Sequence, residues 1–200
     1  MRITVLVEGK TERAFKPHLL EFLKIRLAGS MPNVNFFPCD GRIYKEAKLR
    51  RTVDALLRNK PISDAVIALT DVYTGTNDFV DAADAKQKMR AWVGQNNRFH
   101  PHAAQHDFEA WLLPFWGDIQ ALAGHNTSAP AGPPEAVNHQ HPPSDRIREI
   151  FRLGRRRDYS KPRDANRILS GNDLTVAANR CPELKAFLNT ILTLSGADPI

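Results

Sequence analysis

Residues 3–12 read Ile-Thr-Val-Leu-Val-Glu-Gly-Lys-Thr-Glu, and the fold turns on them. Ile3 to Val7 is a nearly continuous apolar, β-branched run, suited to a strand covered on both faces. It ends directly in Glu8, a glycine and the start of a helical pattern. In open parallel sheets ligands bind beyond the carboxyl ends of the strands, so Glu8 is expected at the rim of a site. Gly9 is expected to let the chain turn tightly there, while Lys10 and the helix-start amides attract a phosphate. Working outward, residues 65–71 read Ala-Val-Ile-Ala-Leu-Thr-Asp and end in the same way, which brings Asp71 to the same rim. Two carboxylates at neighbouring strand ends make a hard-oxygen site of the kind that takes Mg2+ or Mn2+. Taken singly, each acid reads equally well as an exposed turn residue or a helix-terminus charge.

The rest of the first half supports an α/β fold, a mainly parallel four-stranded sheet flanked by helices over residues 1–124. Val34 to Pro38 gives a weaker strand, and Arg98 to Gln105 fits only a sheet edge because Pro101 cannot donate to a ladder. Helical stripes cover residues 11–28, with Thr11 as the N-cap and Glu12 on the helix dipole, then 45–59 and 80–96. An apolar helical segment follows at about 107–123. Residues 125–143, rich in Pro and His without periodicity, predict a flexible loop, and 144–200 predict a helical extension packing on the core.

The chain has 200 residues with 28 Lys+Arg against 22 Asp+Glu, a net charge of +6 and 42% hydrophobic residues. That balance excludes disorder, and no apolar run approaches the roughly 18 residues needed to span a bilayer. The N-terminal run passes straight into an acid, so no signal peptide and a cytoplasmic location are expected. Cys39 and Cys181 read as buried thiols without chemistry. Gly9-Lys10-Thr11 lacks the earlier glycine of a phosphate-binding P-loop, and no Gly-x-Gly-x-x-Gly follows the first strand. His100, His102 and His106 have no cysteine pair beside them, which disfavours zinc. In His106-Asp107-Phe108-Glu109, residues 106 and 109 share a side if a helix begins near Asp107, making Glu109 a ligand candidate. The same acids also fit a plain helix-dipole role.

Between Asp145 and Arg163 lie eight basic side chains against three acids, a local excess of five that could follow a phosphate backbone. Arg152, Arg155, Arg156, Arg157 and Lys161 carry most of it. A second basic set contains Arg42, Lys45, Lys48, Arg50 and Arg51. Without interleaved aromatics, nonspecific or structure-specific nucleic-acid binding is favoured over sequence readout.

Val-Glu-Gly-Lys-Thr-Glu after a first strand, with an acid ending the third, resembles the Toprim fold of topoisomerases, bacterial primases and overcoming-lysogenization-defect nucleases. Asp71-Val72-Tyr73 with Asp78-Phe79, then His106-Asp107-Phe108-Glu109-Ala110, Lys161-Pro162 and Cys181-Pro182-Glu183-Leu184, is similar to the Toprim-like domain of unknown function 4276 family. The resemblance implies a Toprim-like, Rossmann-like fold, with Glu8 as the Toprim glutamate and Asp71 as the first aspartate of Asp-x-Asp. Tyr73 replaces the second aspartate, so a two-metal site needs Asp78 or Glu109 to supply the missing carboxylate. The implied activity is a Mg2+- or Mn2+-dependent nuclease cleaving DNA or RNA. Glu8, Asp71 and Glu109 are then its catalytic residues, Glu8, Asp71, Asp78 and Glu109 hold metal, and Lys10, Arg42, Lys45, His106 and the basic segment contact phosphates. Toprim-like chains are frequently encoded beside ABC-type ATPases, which implies as an alternative a conditionally active or non-catalytic subunit of such a partner in phage defence. A small-molecule phosphohydrolase using the same acids is the third reading.

Overall fold

A computed structural model of the chain describes residues 1–200 apart from Ala28, Ser30, residues 74–76, residues 137–140 and Arg156. Four strands, β1 (Arg2–Val7), β2 (Asn33–Pro38), β3 (Ala65–Asp71) and β4 (Phe99–Ala104), form one all-parallel sheet in the order β2-β1-β3-β4. The two central strands are the most apolar in sequence because both of their faces are covered. Alternate residues of β1 separate accordingly. Ile3, Val5 and Val7 enter one core, and Leu6 enters the other. Pro101 lies in β4, at the sheet edge, where a missing donor costs least.

The first core receives α1 (Lys10–Arg26) through Phe15, Leu19, Phe22 and Leu23. The second is closed by α2 (Glu46–Arg58), through Leu49, Val53 and Leu57, and α3 (Ala82–Val93), through Ala85, Met89 and Val93. After β4 the expected continuous helix over 107–123 is broken into 3-10 turns at Phe108–Trp111 and Leu113–Phe115, and only Trp116–Ala123 forms α4. The cause is packing: Phe108, Trp111, Leu112, Leu113 and Phe115 are all buried, and an α-helical stripe could not turn so many consecutive side chains inward.

The remaining elements are α5 (Pro143–Gly154), α6 (Lys161–Leu169), α7 (Leu174–Ala178) and α8 (Pro182–Leu194). They do not build a separate core. Ile147, Phe151, Ile168, Phe187 and Leu188 join the same apolar cluster as β1 and α1. Phe15 is its hub, with ring centroids 5.5 Å from Phe108, 6.2 Å from Trp111 and 6.3 Å from Phe187. Gly154 ends α5 hard against α4, since a Cβ there would lie 1.9 Å from the carbonyl oxygen of Ala123. Of the expected flexible loop over residues 125–143, residues 137–140 lie outside the described residues, α5 begins at Pro143, and residues 125–136 form no helix or strand but are fastened. Trp111 Nε1 donates to Glu135 at 2.9 Å, and the Glu183 amide in the first turn of α8 donates to the same carboxylate at 3.0 Å.

Candidate active site

The acid that follows β1 meets the acid that ends β3. Glu8 accepts the Thr70 hydroxyl and, at 3.2 Å, the backbone amide of Asp71. The loop after β2 wraps the same residue. The Gly41 amide donates to the Glu8 carbonyl at 2.7 Å, and the Ile43 amide reaches its carboxylate. Gly9 holds φ −161°, an extended conformation open to any residue, so the tight glycine turn expected from sequence is not used. Gly9 is the N-cap of α1 in place of Thr11, and its amide is taken by Glu12 Oε2 at 2.9 Å. Glu8 is only 7% exposed. Burial pushes its pKa up to about 7, against the Thr70 hydrogen bond and with added repulsion from Glu12.

Asp71 is held well above the usual carboxylate range, first by burial and then by the charges of Glu8, Glu12, Asp107 and Glu109. The charges of Glu12 and Asp107 thus act on Asp71, although in sequence they read only as helix-terminus charges. The available signal for Glu12 was its spacing, four residues beyond Glu8 in a strand-to-helix junction. Asp107 is 3% exposed; Oδ2 accepts the Ser144 amide at 3.2 Å, and buried Oδ1 has no hydrogen-bond partner. Its pKa is raised by burial, opposed by Ser144 and Lys161.

Glu109 is fully buried and differently engaged. Lys161 donates to Oε2 at 3.0 Å and the Tyr159 hydroxyl to Oε1 at 3.2 Å. Burial and then Asp107 push its pKa up to about 7, while Lys161 works the other way. Burial alone would lower the Lys161 pKa, but Glu109, Asp107 and Asp71 outweigh it and raise it. Lys161 is therefore a cation shared by several carboxylates.

The other sequence-predicted residues scatter more widely. Asp78, expected as a supplementary ligand, meets Lys45, expected on phosphate, at 2.5 Å, and the two neutralise each other. His106 is buried in a left-handed conformation, φ 67°, and its carbonyl accepts the Tyr73 amide at 2.6 Å. Lys10 is exposed on the first turn of α1, and Arg42 is exposed on the loop that wraps Glu8. Arg152 and Arg155 are exposed at the end of α5, and Arg156 lies outside the described residues. Arg157 turns onto buried Asp164 at 2.7 Å and over the Phe151 ring, and Arg163 also reaches Asp164. Lys161 turns inward onto Glu109, while Arg148 pairs with Asp145 at the surface, so part of the basic segment is spent on charges of the chain itself.

Among the described residues no group of three or more His, Cys, Asp or Glu side chains is gathered so as to hold a metal ion. The donor chemistry nevertheless suits a hard divalent cation. Glu8 and Asp71 offer carboxylate oxygens at adjacent strand ends, and Asp107 has a buried oxygen with no partner. Among the described residues no helix is long and apolar enough to cross a membrane.

No curated protein matches this chain. A solved structure, the C-terminal region of the Burkholderia pseudomallei OLD protein, matches 97% of this chain and 98% of that chain with a TM-score of 0.53. At 15% identity the likeness concerns the fold, which is Toprim-like. The family described as domain of unknown function (DUF4276) matches residues 7–192, and the chain belongs to that family.

Proposed function

We propose that the chain is a Mg2+- or Mn2+-dependent phosphodiesterase of the nuclease type, acting on DNA or RNA. The observation that carries this reading is the junction of a buried Glu8 and a half-buried Asp71, two carboxylates from adjacent strand ends, both with raised pKa values. Glu8 and Asp71 would hold the cation, with Asp107 or Glu12 completing the shell. Glu109 holds Lys161 through a hydrogen bond of 3.0 Å. When bound, the cation supplies charge neutralisation and Lewis-acid polarisation of a phosphoryl oxygen. The chain's own part is to fix Glu8 through Thr70 and the Asp71 and Ile43 amides, and to place Lys161 where it offsets anionic charge. Lys10 and Arg42, exposed near the same rim, offer phosphate contacts. The test is incubation of the purified chain with plasmid and single-stranded DNA in Mn2+. Cleavage should vanish in Glu8→Gln and in Asp71→Asn, and cleavage that survives in both would overturn the assignment.

A second reading, a conditionally active subunit of an ABC-type ATPase in phage defence, is favoured by one observation. Tyr73 stands where the resemblance calls for a second aspartate, and Glu109, which could replace it, is already held by Lys161. Cleavage that appears only when an ATPase co-purifies would select this reading.

A further inference from the structure

A second concavity of the described residues lies away from the carboxylates. It is a groove of about 550 Å3 between α2 and edge strand β2, on the sheet face that α2 covers. Its floor includes Phe37 and Leu56, and its walls carry Arg2, Lys48, Arg51 and Lys60. Among the described residues lining it there is no carboxylate. Asp64 accepts the Arg2 backbone amide at 2.6 Å. Arg2 Nε is buried without a hydrogen-bond partner. Lys48 rests over the Tyr44 ring at 3.7 Å, and Arg51 spends one donor on the Ala47 carbonyl.

The placement ties this groove to the proposed active site. The loop that wraps Glu8 through the Gly41 and Ile43 amides runs directly into α2, so the groove opens one turn from that loop. From Lys48 to Asn59 it follows roughly 16 Å of helix, at about 1.5 Å per residue. A cationic furrow with an aromatic side chain in its lining is chemistry that suits a single nucleic-acid strand, with phosphates on the basic groups and a base on the ring.

We infer that this groove is a track for a single strand of nucleic acid entering or leaving the active site, with Arg2, Lys48, Arg51 and Lys60 on phosphates and Phe37 beneath a base. The inference rests on the nuclease reading, whose site it extends by specifying the form of the substrate.

The test is the anisotropy of a fluorescein-labelled 12-nucleotide oligothymidylate titrated with the full chain in EDTA, between 50 and 200 mM salt. Arg51 and Lys60 are exposed, so Arg51→Glu with Lys60→Glu should leave thermal unfolding unchanged. It should weaken strand binding tenfold or more and make the log–log salt dependence shallower by roughly 1 to 2. Phe37→Leu should weaken binding several-fold with the salt slope intact. Unchanged affinity in the charge variant overturns the track, as does an equal loss on a 12-base-pair duplex. Binding of thymidine monophosphate as tight as the strand also overturns it, since that describes a small-molecule pocket. Mn2+ cleavage is read separately. Loss of cleavage in Glu8→Gln with unaltered strand binding in the groove variant removes the groove and keeps the active site. The opposite pair of results removes the active site and keeps the groove.

Discussion

Glu8 Oε1 accepts the backbone amide of Asp71 at 3.2 Å, so the carboxylate that follows β1 is held by the residue that ends β3. Closure of the sheet and assembly of the acidic site are one event. Glu8 is buried and Asp71 half-buried, each near other acids, and without a counter-ion each is an electrostatic liability.

A divalent cation should therefore stabilise the fold. At pH 8, Mn2+ at a hundred times its dissociation constant should raise stability by about 2.7 kcal/mol. Glu8→Gln and Asp71→Asn should abolish that gain and leave the metal-free protein as stable as the parent or more so. Thermal unfolding with Mn2+ and with EDTA checks this, and an undiminished Mn2+ effect in both variants would contradict it.

Lys161 neutralises a Glu109 side chain that is 1% exposed. Lys161→Met should destabilise the protein by about 2–4 kcal/mol at pH 8, because it leaves a buried acid without its cation. The loss should shrink near pH 6, where Glu109, with a pKa of about 7, takes up a proton. Adding Glu109→Gln should recover part of the loss, and the coupling energy is read from a urea-denaturation double-mutant cycle.

Glu135 joins Trp111 to the first turn of α8. Glu135→Ala should cost about 2 kcal/mol by stranding the indole N–H and two helix-start amides. Glu135→Gln, which can still accept from Trp111, should cost about half as much. Chemical denaturation followed by tryptophan emission distinguishes the two.

His102 packs against Phe187 and hydrogen-bonds Thr190 at 3.0 Å. Burial lowers its pKa to about 3, with Lys86 adding to the effect. A folded-state pKa below the unfolded one contributes stability that is present above about 6.5 and lost as pH falls toward 3. At pH 5 the loss should be about 2 kcal/mol relative to pH 7.5. The carboxylates with raised pKa values shift stability in the opposite direction, so the readout is wild type minus His102→Gln at each pH. Equal pH profiles for the two proteins would refute the assignment.

The strands were legible because β1 and β3 are apolar enough to leave one reading, and their terminal acids could be placed by sheet geometry alone. The 3-10 turns after β4 were not, since their shape follows from Phe15, Phe108, Trp111 and Phe187 meeting around one point, a contact among distant segments. Glu12 and Asp107 escaped notice for the reason that an acid near a helix start is usually only a dipole partner. The basic run from 145 to 163 misled in the other direction. Charge counted along the chain cannot reveal that Asp164 and Glu109 lie beneath it and draw Arg157, Arg163 and Lys161 inward.

The apolar cluster that β1 and α1 share with α5, α6 and α8 has a practical corollary for anyone dissecting the protein. Cutting the chain near residue 143 would strip the cover from Phe15, Leu19 and Trp111, and take Lys161 away from Glu109. The rim acids and the helices that follow stand or fall together, so a chain truncated near residue 143 should be insoluble or unfolded.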